Sequence, residues 1–587
     1  MSRSPFSARD VLGRDVPGGS ILLRSNWVVV DAVAKVVSEA ILRWPSSLAP
    51  TSCATLAWMP RWFNTAGPNN PNDHYTLPVL ARLPEVWRLI DTKSWFVLHA
   101  PRQSGKTTAM EALAADLTAT GTYAAVLASC EVAASCGTSA AEASQSIIAD
   151  IRRNATLALP EALRPPLEEP VTSPTMLATF VDGWCRACPL PVVLLLDEID
   201  ALRGEALLSI LRQLRSIYRA RPKAAPHTVA LIGLRDVRDY RGADGDNSRL
   251  GTSSPFNISV KSLTLRSFTR AEVATLYGQH AAESGQVVTD LAVERAWHYT
   301  QGQPWLVNAI ARQVVEEMGV VGPIDASHMD VAKEQLIVAR ATHLDSLAHR
   351  LEENRVRAVI EPMLTGVPSQ TRPTMADLDY VTDLGLIVQR QNEERQIANP
   401  IYREILPREL AEPILADLPR LSRNRWSLPD GHLDLQGLLD AFIDFWRQHG
   451  EWMMRGQAWP EAAHQIVLMA FLQRVVNGGG SIEREYGLGT KRLDLLVRWF
   501  IRRDAYGIPL EEDRHAIEVK VWRAGDGDPL GEGLAQLDTY CDRLALSLGT
   551  LIIFDARPAA TTSPWASRGT LSEHRTPGGR TVRLLRA

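Results

Sequence analysis

The chain has 587 residues, which at about 150 residues per domain indicates roughly four domains and more than one hydrophobic core. Hydrophobic residues make up 45% of the sequence and charged residues 22%, which excludes the disordered and fibrous classes of protein. The 63 Lys and Arg residues against 67 Asp and Glu leave a net charge of −4. The chain therefore lacks the overall positive field of a non-specific nucleic-acid binder, and any contact with DNA or RNA must be local.

The sequence carries no signal for a membrane or an export route. The longest apolar runs, such as 192–196, fall far short of the roughly 18 residues of a membrane span. The polar, charged start MSRSPFSARDVLGRD does not resemble a signal peptide. Six cysteines in a chain of this length argue against a disulfide scaffold. We therefore expect a cytoplasmic protein with no membrane partner.

Residues 1–60 form an N-terminal segment of unclear role. The stretch SNWVVVDAVAKVVSEAILRW (25–44) fits either a strand or an amphipathic helix. One hypothesis is that translation starts near Met59. Mass spectrometry of the native protein tests it, and a peptide from before Met59 would contradict it.

Between residues 61 and 265, short apolar runs alternate with helical stretches. The runs are WFVLHA (95–100), YAAVLASC (123–130), VVLLLDEID (192–200) and HTVALIGLRD (227–236). Alternation of this kind predicts an α/β domain, in which a parallel sheet is covered by helices on both faces.

A candidate phosphate-binding loop follows the first run. It consists of Ala100, Pro101, Arg102, Gln103, Ser104, Gly105, Lys106, Thr107 and Thr108. The segment matches the P-loop pattern except that Ala100 replaces the first glycine, which is tolerable where that backbone does not need a positive φ. Backbone N–H groups would surround phosphate, Lys106 would reach the β and γ oxygens, and Thr107 would ligate Mg²⁺. The loop predicts ATP and Mg²⁺ as cofactors.

Two carboxylates end the third apolar run. Asp197 would hold Mg²⁺, and Glu198 would polarise the attacking water. A buried strand with a solvated acidic turn is the alternative, but the position about ninety residues after Lys106 in an α/β pattern favours a nucleotide site. Further on, Arg235 could either sense the γ-phosphate or form a surface salt bridge, and both readings stay open.

Two further units follow in the sequence. Residues 266–345 predict a helical lid, in which Gly302 and Pro304 precede a helix (TQGQPWLVNAIARQ, 300–313). Residues 346–410 predict a helix, a second helix ending at Gly385 and a hairpin, as in a winged helix. That unit could bind DNA or serve as a domain contact.

The stretch from about 62 to 410 resembles the bacterial AAA-like, STAND-related P-loop ATPases close to the archaeal-type ATPases. The motifs FNTAGP, HAPRQSGKTT, LLLDEID, LIGLRDVRDY, GTSSPFNI and TQGQPWLVNA carry the resemblance. It implies that Gly302 and Pro304 lie near adenine. Trp305 stands where many lids of this class supply an arginine, so the resemblance leaves open how the γ-phosphate is sensed and whether subunits assemble in rings.

Residues 411–440, punctuated by three prolines, predict a linker, and 441–587 predict a last domain. There HAIEVKVW alternates with period two, which places Glu518 and Lys520 on one face of a strand. A hairpin with LDLLVRWFI, joined by a polar turn at RRDAYGIPLEEDRH (502–515), would bring Asp494 beside Glu518. Two such carboxylates chelate Mg²⁺, and the lysine can orient or deprotonate a water and steady phosphoryl charge. An exposed strand produces the same pattern by chance.

The order of elements over about 455–557 resembles the PD-(D/E)XK nuclease fold. The resemblance implies a further metal-linked acid at Glu461 and a Q-x-x-x-Y pair, Gln536 and Tyr540, one helical turn apart. It also implies nucleic acid as a partner, with DNA favoured. The alternative is a domain that retains this fold but no longer cleaves nucleic acid.

The sequence as a whole predicts an α/β multidomain protein with two linked activities. An ATPase would gate or drive a Mg²⁺-dependent nuclease in genome defence or DNA processing, and the chain could act as a homo-oligomer. The alternative is a STAND-like nucleotide switch or scaffold with an inactive nuclease-like domain. Cys185 and Cys188 form C-x-x-C without a second pair at ligand spacing, so packing is favoured over zinc.

Overall fold

A computed structural model describes most of the chain after residue 59. The described residues are 60–167, 173–234, 259–339, 350–365, 372–390, 394–407, 426–455, 464, 467–468, 471–472, 479–488, 491–557 and 568–587. Residues 1–59, Arg235, the motif at 251–258 and Glu461 lie outside these ranges. Within them, no helix combines the length and the apolar character that crossing a membrane requires.

The first sheet in the described ranges has five parallel strands in the order β2-β3-β4-β1-β5. They are β1 (Trp95–His99), β2 (Ala124–Ser129), β3 (Val192–Asp197), β4 (Thr228–Gly233) and β5 (Ser259–Thr264). The four apolar runs are confirmed as strands. Sequence reasoning missed β5 because SVKSLT is mostly polar, as an edge strand can be.

Helices cover both faces of this sheet, as predicted. They are α1 (Val86–Asp91), α2 (Lys106–Ala119), α3 (Ala140–Ala158), α4 (Met176–Ala187) and α5 (Gly204–Ile217). Short 3-10 turns lie at Val79–Arg82, Glu131–Cys136, Glu161–Leu163, Ile199–Ala201 and Tyr218–Ala220. Because side chains alternate along a strand, Phe96 packs with α1 and α2 while Val97 packs with α3 to α5.

Residues 270–407 are mainly helical. The elements are α6 (Arg270–Ser284), α7 (Asp290–Thr300), α8 (Pro304–Arg312) with a π turn at Gln313–Glu317, α9 (Ala326–Val338), α10 (Asn354–Thr365), α11 (Met375–Asp383), β6 (Ile387–Val388), β7 (Gln396–Ile397) and α12 (400–407). Leu306 of α8, Ile360 of α10 and Ile401 of α12 belong to one hydrophobic core. The predicted boundary at 345 therefore does not separate two cores, and the winged-helix assignment of 346–410 stays a prediction.

A second, mixed sheet lies at the C-terminal end, in the order β12-β13-β11-β10-β9-β8. Its strands are β8 (Gly480–Leu488), β9 (Lys491–Arg503), β10 (Pro509–Trp522), β11 (Leu548–Asp555), β12 (Thr570–Arg575) and β13 (Thr581–Arg586). β8, β9 and β10 are antiparallel, whereas β10, β11 and β13 are parallel. The helices α13 (Leu435–Arg455) and α14 (Leu530–Leu544) belong to the same region, and α14 packs on β10 and β11.

Two boundary predictions in this region are wrong. Residues 426–440 are not linker, because Trp426, Leu433 and Leu438 are buried in the C-terminal core and α13 begins at Leu435. The prolines suggested a linker. The helical spacing of the leucines from 433 onward is the stronger signal, and it predicts a helix that packs on a core despite Pro429. The polar stretch 502–515 is not a long turn either, since only 504–508 leave the strands and the rest extends the β9–β10 hairpin.

Candidate functional site

The carboxyl ends of β1, β3 and β4 border a cavity of about 1710 Å³. In open parallel sheets, ligands bind at this end of the strands. Nine of the predicted nucleotide-site residues line the cavity: Arg102, Gln103, Gly105, Lys106, Thr107, Thr108, Asp197, Glu198 and Pro304. The volume exceeds what one small ligand needs, so a nucleoside triphosphate fits.

The loop before α2 takes left-handed backbone at two positions, Gln103 (φ 56°) and Gly105 (φ 89°). Ala100, at the place of the usual first glycine, is not among the described residues with positive φ. Its side chain is buried in the core on the α2 face of the sheet. Alanine is therefore accommodated without strain, because the loop makes its sharp turns further on.

Lys106 opens α2 and faces back over the loop. Its Nζ donates to the carbonyl oxygens of Ala100 at 2.7 Å and Pro101 at 2.9 Å. Burial lowers the pKa of Lys106 to about 8, against the opposing effect of the Asp197 and Asp200 carboxylates. The Lys106 ammonium thus lies at the loop, where burial deprives its charge of water. A bound phosphate would pair with this charge directly and stabilise it.

Thr107 and Asp197 are joined across the cavity floor. The Thr107 hydroxyl donates to Asp197 Oδ2 at 2.7 Å, and Asp197 is buried at the end of β3. A hydroxyl and a carboxylate at this distance are hard oxygen ligands of the kind Mg²⁺ takes. Thr107 and Asp197 are therefore the residues that would hold a magnesium ion in this site.

Glu198 follows in a left-handed conformation (φ 53°), unusual for a residue with a side chain. Its backbone N–H donates to Asp197 Oδ1 at 2.9 Å, and its Oε2 accepts a hydrogen bond from the Ser129 hydroxyl at 3.0 Å. Burial raises the pKa of Glu198. Ser129, at the end of β2, was missed because nothing in the sequence ties it to a residue 69 positions away.

Arg82 is a second residue that sequence reasoning missed. It is buried, donating from Nη2 to the Ser104 carbonyl at 3.1 Å and from Nη1 to the Arg266 carbonyl at 2.9 Å. Its guanidinium lies 4.8 Å from the Phe268 ring centre. It therefore connects the phosphate loop to the chain entering α6, a contact between segments far apart in sequence.

Gly302 and Pro304 have different parts in the lid. Gly302 has φ +75°, and a Cβ there would lie 1.9 Å from the Phe268 carbonyl oxygen. Pro304 begins α8 and lines the cavity together with Trp305. The Trp305 indole donates to the Thr65 carbonyl at 2.8 Å, which connects the lid to the FNTAGP motif (63–68).

The C-terminal candidate residues meet on the face of the second sheet that α14 covers. The register pairs Leu495 with Ile517, so Asp494 and Glu518 are the next residues on adjacent antiparallel strands. The Val519 N–H donates to Asp494 Oδ2 at 2.9 Å. Glu518 Oε1 lies 3.3 Å from Lys520 Nζ. The hairpin thus brings the three predicted side chains together.

Glu518 is 3% exposed, and its Oε2 is buried without a hydrogen-bond partner in the described part of the chain. Burial, followed by the Asp494 carboxylate, raises the pKa of Glu518 to about 8, although Lys520 opposes the shift. An unsatisfied buried carboxylate oxygen is costly. It is the kind of site that a cation stabilises.

Gln536 and Tyr540 of α14 complete this face. Gln536 Nε2 donates to Glu532 Oε1 at 3.2 Å, and the same oxygen lies 3.2 Å from Lys520 Nζ. Tyr540 is buried; burial and then the charges of Glu518 and Asp494 raise its pKa to about 12. Both residues therefore lie close to the acidic pair.

No group of three or more His, Cys, Asp or Glu residues converges as a metal cluster in the described part of the chain. The described part of this site contains the two carboxylates of Asp494 and Glu518, while the predicted third acid, Glu461, lies outside the described residues. Cys185 of α4 is buried in the core, and Cys188 packs against the same core. This supports packing for the C-x-x-C pair.

Comparison with known proteins bears on the first site. Residues 90–240 match a family model described as an AAA domain. A search of the curated proteins finds no match. The chain thus contains an AAA-type P-loop ATPase core, an ATP-binding fold, within a mixed α/β protein.

Several solved structures are similar to part of the chain. A Walker-type ATPase of Pyrococcus abyssi is 13% identical, covering 59% of this chain and 99% of its own, with a TM-score of 0.42. The Thermotoga maritima Holliday junction branch migration motor RuvB is 16% identical (58% and 94%, TM-score 0.31). Aeropyrum pernix Orc1, solved in complex with DNA, is 15% identical (59% and 95%, TM-score 0.31).

Proposed function

We propose that the chain is an ATP-dependent nuclease, in which the nucleotide state of the AAA core controls Mg²⁺-dependent cleavage of nucleic acid, DNA being favoured, by the C-terminal sheet. The observation that carries the proposal is the meeting of Asp494, Glu518 and Lys520 on one sheet face, with Glu518 3.3 Å from the lysine. A role in genome defence or DNA processing extends this proposal by analogy alone.

In the ATP site, each proposed role follows from where the residue lies. Lys106 neutralises phosphate charge at the loop, while Thr107 and Asp197, 2.7 Å apart, hold Mg²⁺. Glu198 accepts the proton of the attacking water, and the Ser129 hydroxyl at 3.0 Å fixes its orientation. Burial raises the pKa of Glu198, which makes it a better proton acceptor at neutral pH.

In the C-terminal site, Asp494 and Glu518 would hold a divalent cation, which supplies charge to activate a water and to steady the phosphate. The buried, unpartnered Oε2 of Glu518 supports this fit. The raised pKa of Glu518 also supports a cation site, because binding of a cation offsets the cost of ionising a buried carboxylate.

Lys520 acts as a fixed positive charge in this proposal. Although burial disfavours its charged form, the carboxylates of Glu518 and Glu532 raise the pKa of Lys520 above its ordinary value. A lysine held protonated can stabilise negative charge on a phosphate, whereas it is a poor base. Among the roles that the sequence predicted for Lys520, we therefore favour stabilisation of phosphoryl charge over deprotonation of a water.

A physical connection between the two sites supports control by nucleotide. The tip of the β9–β10 hairpin carries Tyr506, which packs against the core shared by the lid helices. Its hydroxyl accepts a hydrogen bond from the Val321 N–H at 3.2 Å, and its ring centre lies 5.7 Å from that of His328. The hairpin that carries Asp494 and Glu518 therefore contacts the helical part of the ATPase directly.

A cleavage assay with matched variants tests the nuclease proposal. The full chain is incubated with circular and linear DNA, and with RNA, in the presence of Mg²⁺ and ATP. We expect cleavage by the wild type and by Arg514→Ala, an exposed cation on the same strand, and at least a 100-fold loss in Lys520→Ala.

Nucleic-acid binding, measured on the same samples, distinguishes the proposed nuclease from the rival function. Binding without cleavage by the wild type, with Mg²⁺ or Mn²⁺, would contradict the proposal and favour a nucleotide-dependent switch or scaffold. Equal cleavage by wild type and Lys520→Ala would also contradict it, since the activity would then come from elsewhere.

A further inference from the structure

One wall of the nucleotide cavity comes from a part of the chain about 250 residues beyond the phosphate loop. Arg350 and Tyr380 line the same cavity as Lys106 and Asp197. Neither residue belongs to a motif that the sequence marks as nucleotide-binding. Arg350 therefore brings a positive charge from this distant segment to the nucleotide cavity.

The segment is packed directly on the phosphate loop. Gly385, just after α11, has φ +78°, and a Cβ there would lie 2.6 Å from Cγ of Pro101 in the loop. Asp383 Oδ1 lies 3.8 Å from Nδ1 of His99, the last residue of β1. The close approach leaves this wall little room to move without the loop.

Arg350 lies toward the acidic end of the cavity. Asp200, just after the Asp197–Glu198 pair, is close enough to help raise the pKa of Arg350, against the opposing effect of burial. Asp200 Oδ1 also accepts a hydrogen bond from the Leu234 N–H, directly after β4. Glu198 and Asp200 line the same cavity as Arg350, so the cavity that this guanidinium borders also contains the acidic groups that follow β3.

The guanidinium is held in place but remains available. Its Nη1 donates to Glu353 Oε1 at 2.9 Å, and Glu353 in turn accepts a hydrogen bond from the Tyr380 hydroxyl at 2.8 Å. The Arg350 side chain keeps 33% of its exposure, on the cavity side. A guanidinium has five donors in a planar fork that matches phosphate oxygens, so one bond to Glu353 leaves donors for a ligand.

We propose that Arg350 contacts the terminal phosphate of a bound nucleoside triphosphate, so that the 350–385 segment distinguishes triphosphate from diphosphate within one chain. The inference rests on the proposed nucleotide site. Hydrolysis then removes the group that Arg350 pairs with and changes the contact between this segment and the phosphate loop.

Nucleotide affinity in matched variants tests the assignment. Dissociation constants of ADP·Mg²⁺ and of a slowly hydrolysed ATP analogue are measured for wild type, Arg350→Ala, Arg350→Lys and Arg355→Ala. Arg355 is the control, because it has the same two partners but does not line the cavity. Its Nε lies 3.3 Å from Glu353 Oε2, and its guanidinium carbon lies 3.2 Å from the centre of the Tyr380 ring. We expect Arg350→Ala to weaken binding of the ATP analogue about tenfold and binding of ADP by less than twofold. Arg350→Lys should restore part of the lost affinity for the analogue.

The outcomes separate this inference from the proposed function. Equal weakening of both nucleotides, no weakening, or the same effect in Arg355→Ala would overturn the role of Arg350 and leave the nucleotide site in place. A wild-type protein that binds neither nucleotide would overturn the site itself and the inference with it.

Discussion

Single residues account for both the success and the gaps of sequence reasoning in the ATPase core. Lys106, Thr107 and Asp197 are recognisable because the chemistry of phosphate and magnesium demands those side chains at a fixed spacing. Arg82 and Ser129 are not, since their roles come from contacts across 22 and 69 positions that no local pattern encodes. At the residue scale, motif chemistry was predictable and the residues supporting it were not.

Gly302 is the position where one added methyl group should have the largest effect. Gly302→Ala would place Cβ 1.9 Å from the Phe268 carbonyl oxygen, so backbone must shift. The control is Gly285→Ala, which has nearly the same φ, +74°, with nothing within 4 Å. We expect destabilisation of about 1 kcal/mol for the control and about 3 kcal/mol or more for Gly302→Ala, with weaker nucleotide binding.

Urea unfolding and nucleotide titration check this prediction. Equal stability of the two variants would mean that the lid turn tolerates a side chain and does not hold α8 against the chain before α6.

Glu361 of α10 is 6% exposed and should make stability depend on pH. Burial raises the pKa of Glu361 to about 8, although Arg357 at 3.3 Å opposes the shift. Between an unfolded value near 4.5 and 8, the folded state keeps a proton that the unfolded state releases. Stability should therefore fall as pH rises through this window and level off above it.

The variant Glu361→Gln removes the titrating group. We expect it to match the wild type below about pH 4 and to be more stable above pH 8, by on the order of 4 to 5 kcal/mol, because each pKa unit corresponds to about 1.4 kcal/mol. Glu352→Gln, at an exposed neighbouring position, should follow the wild-type profile. Parallel profiles for Glu361→Gln and wild type would show that Glu361 is ionised in the folded protein.

At the scale of elements, period and length decided what could be predicted. The apolar runs of the first sheet and the alternating strand HAIEVKVW were recognisable, since both carry strong periodicity. The hairpin β9–β10 was predicted too short, because its outer residues are polar on both faces and read as a turn. Those extra residues matter, since they carry the hairpin tip to the lid helices.

The hairpin tip therefore offers a test of coupling. Tyr506→Ala removes the ring that packs on the lid core, and we expect cleavage to lose at least half of its stimulation by ATP while cleavage without ATP stays near wild type. Tyr506→Phe keeps the ring and loses only the bond to the Val321 N–H, so it should keep most of the stimulation.

Cleavage rates with and without ATP give the measurement. An unchanged stimulation ratio in Tyr506→Ala would exclude this hairpin as the route between the sites. A loss of basal cleavage as well would place Tyr506 in the folding of the C-terminal sheet instead.

For the molecule as a whole, the order of units was easier to predict than their contacts. Patterns along the chain indicated a P-loop core, a helical unit and a C-terminal α/β domain. They could not show that Gly385 touches Pro101, or that 270–407 share one hydrophobic core, because such contacts are set by tertiary packing. The link between nucleotide and cleavage depends on these contacts.

The most direct test of that link is the rate of DNA cleavage by the full chain with Mg²⁺ and either ATP, ADP or no nucleotide. With ATP we expect a rate at least tenfold above the other two conditions, and in Lys106→Ala the loss of that increase with DNA binding preserved. Cleavage that is equally fast under all three conditions, or fully retained by Lys106→Ala with ATP, would contradict the account.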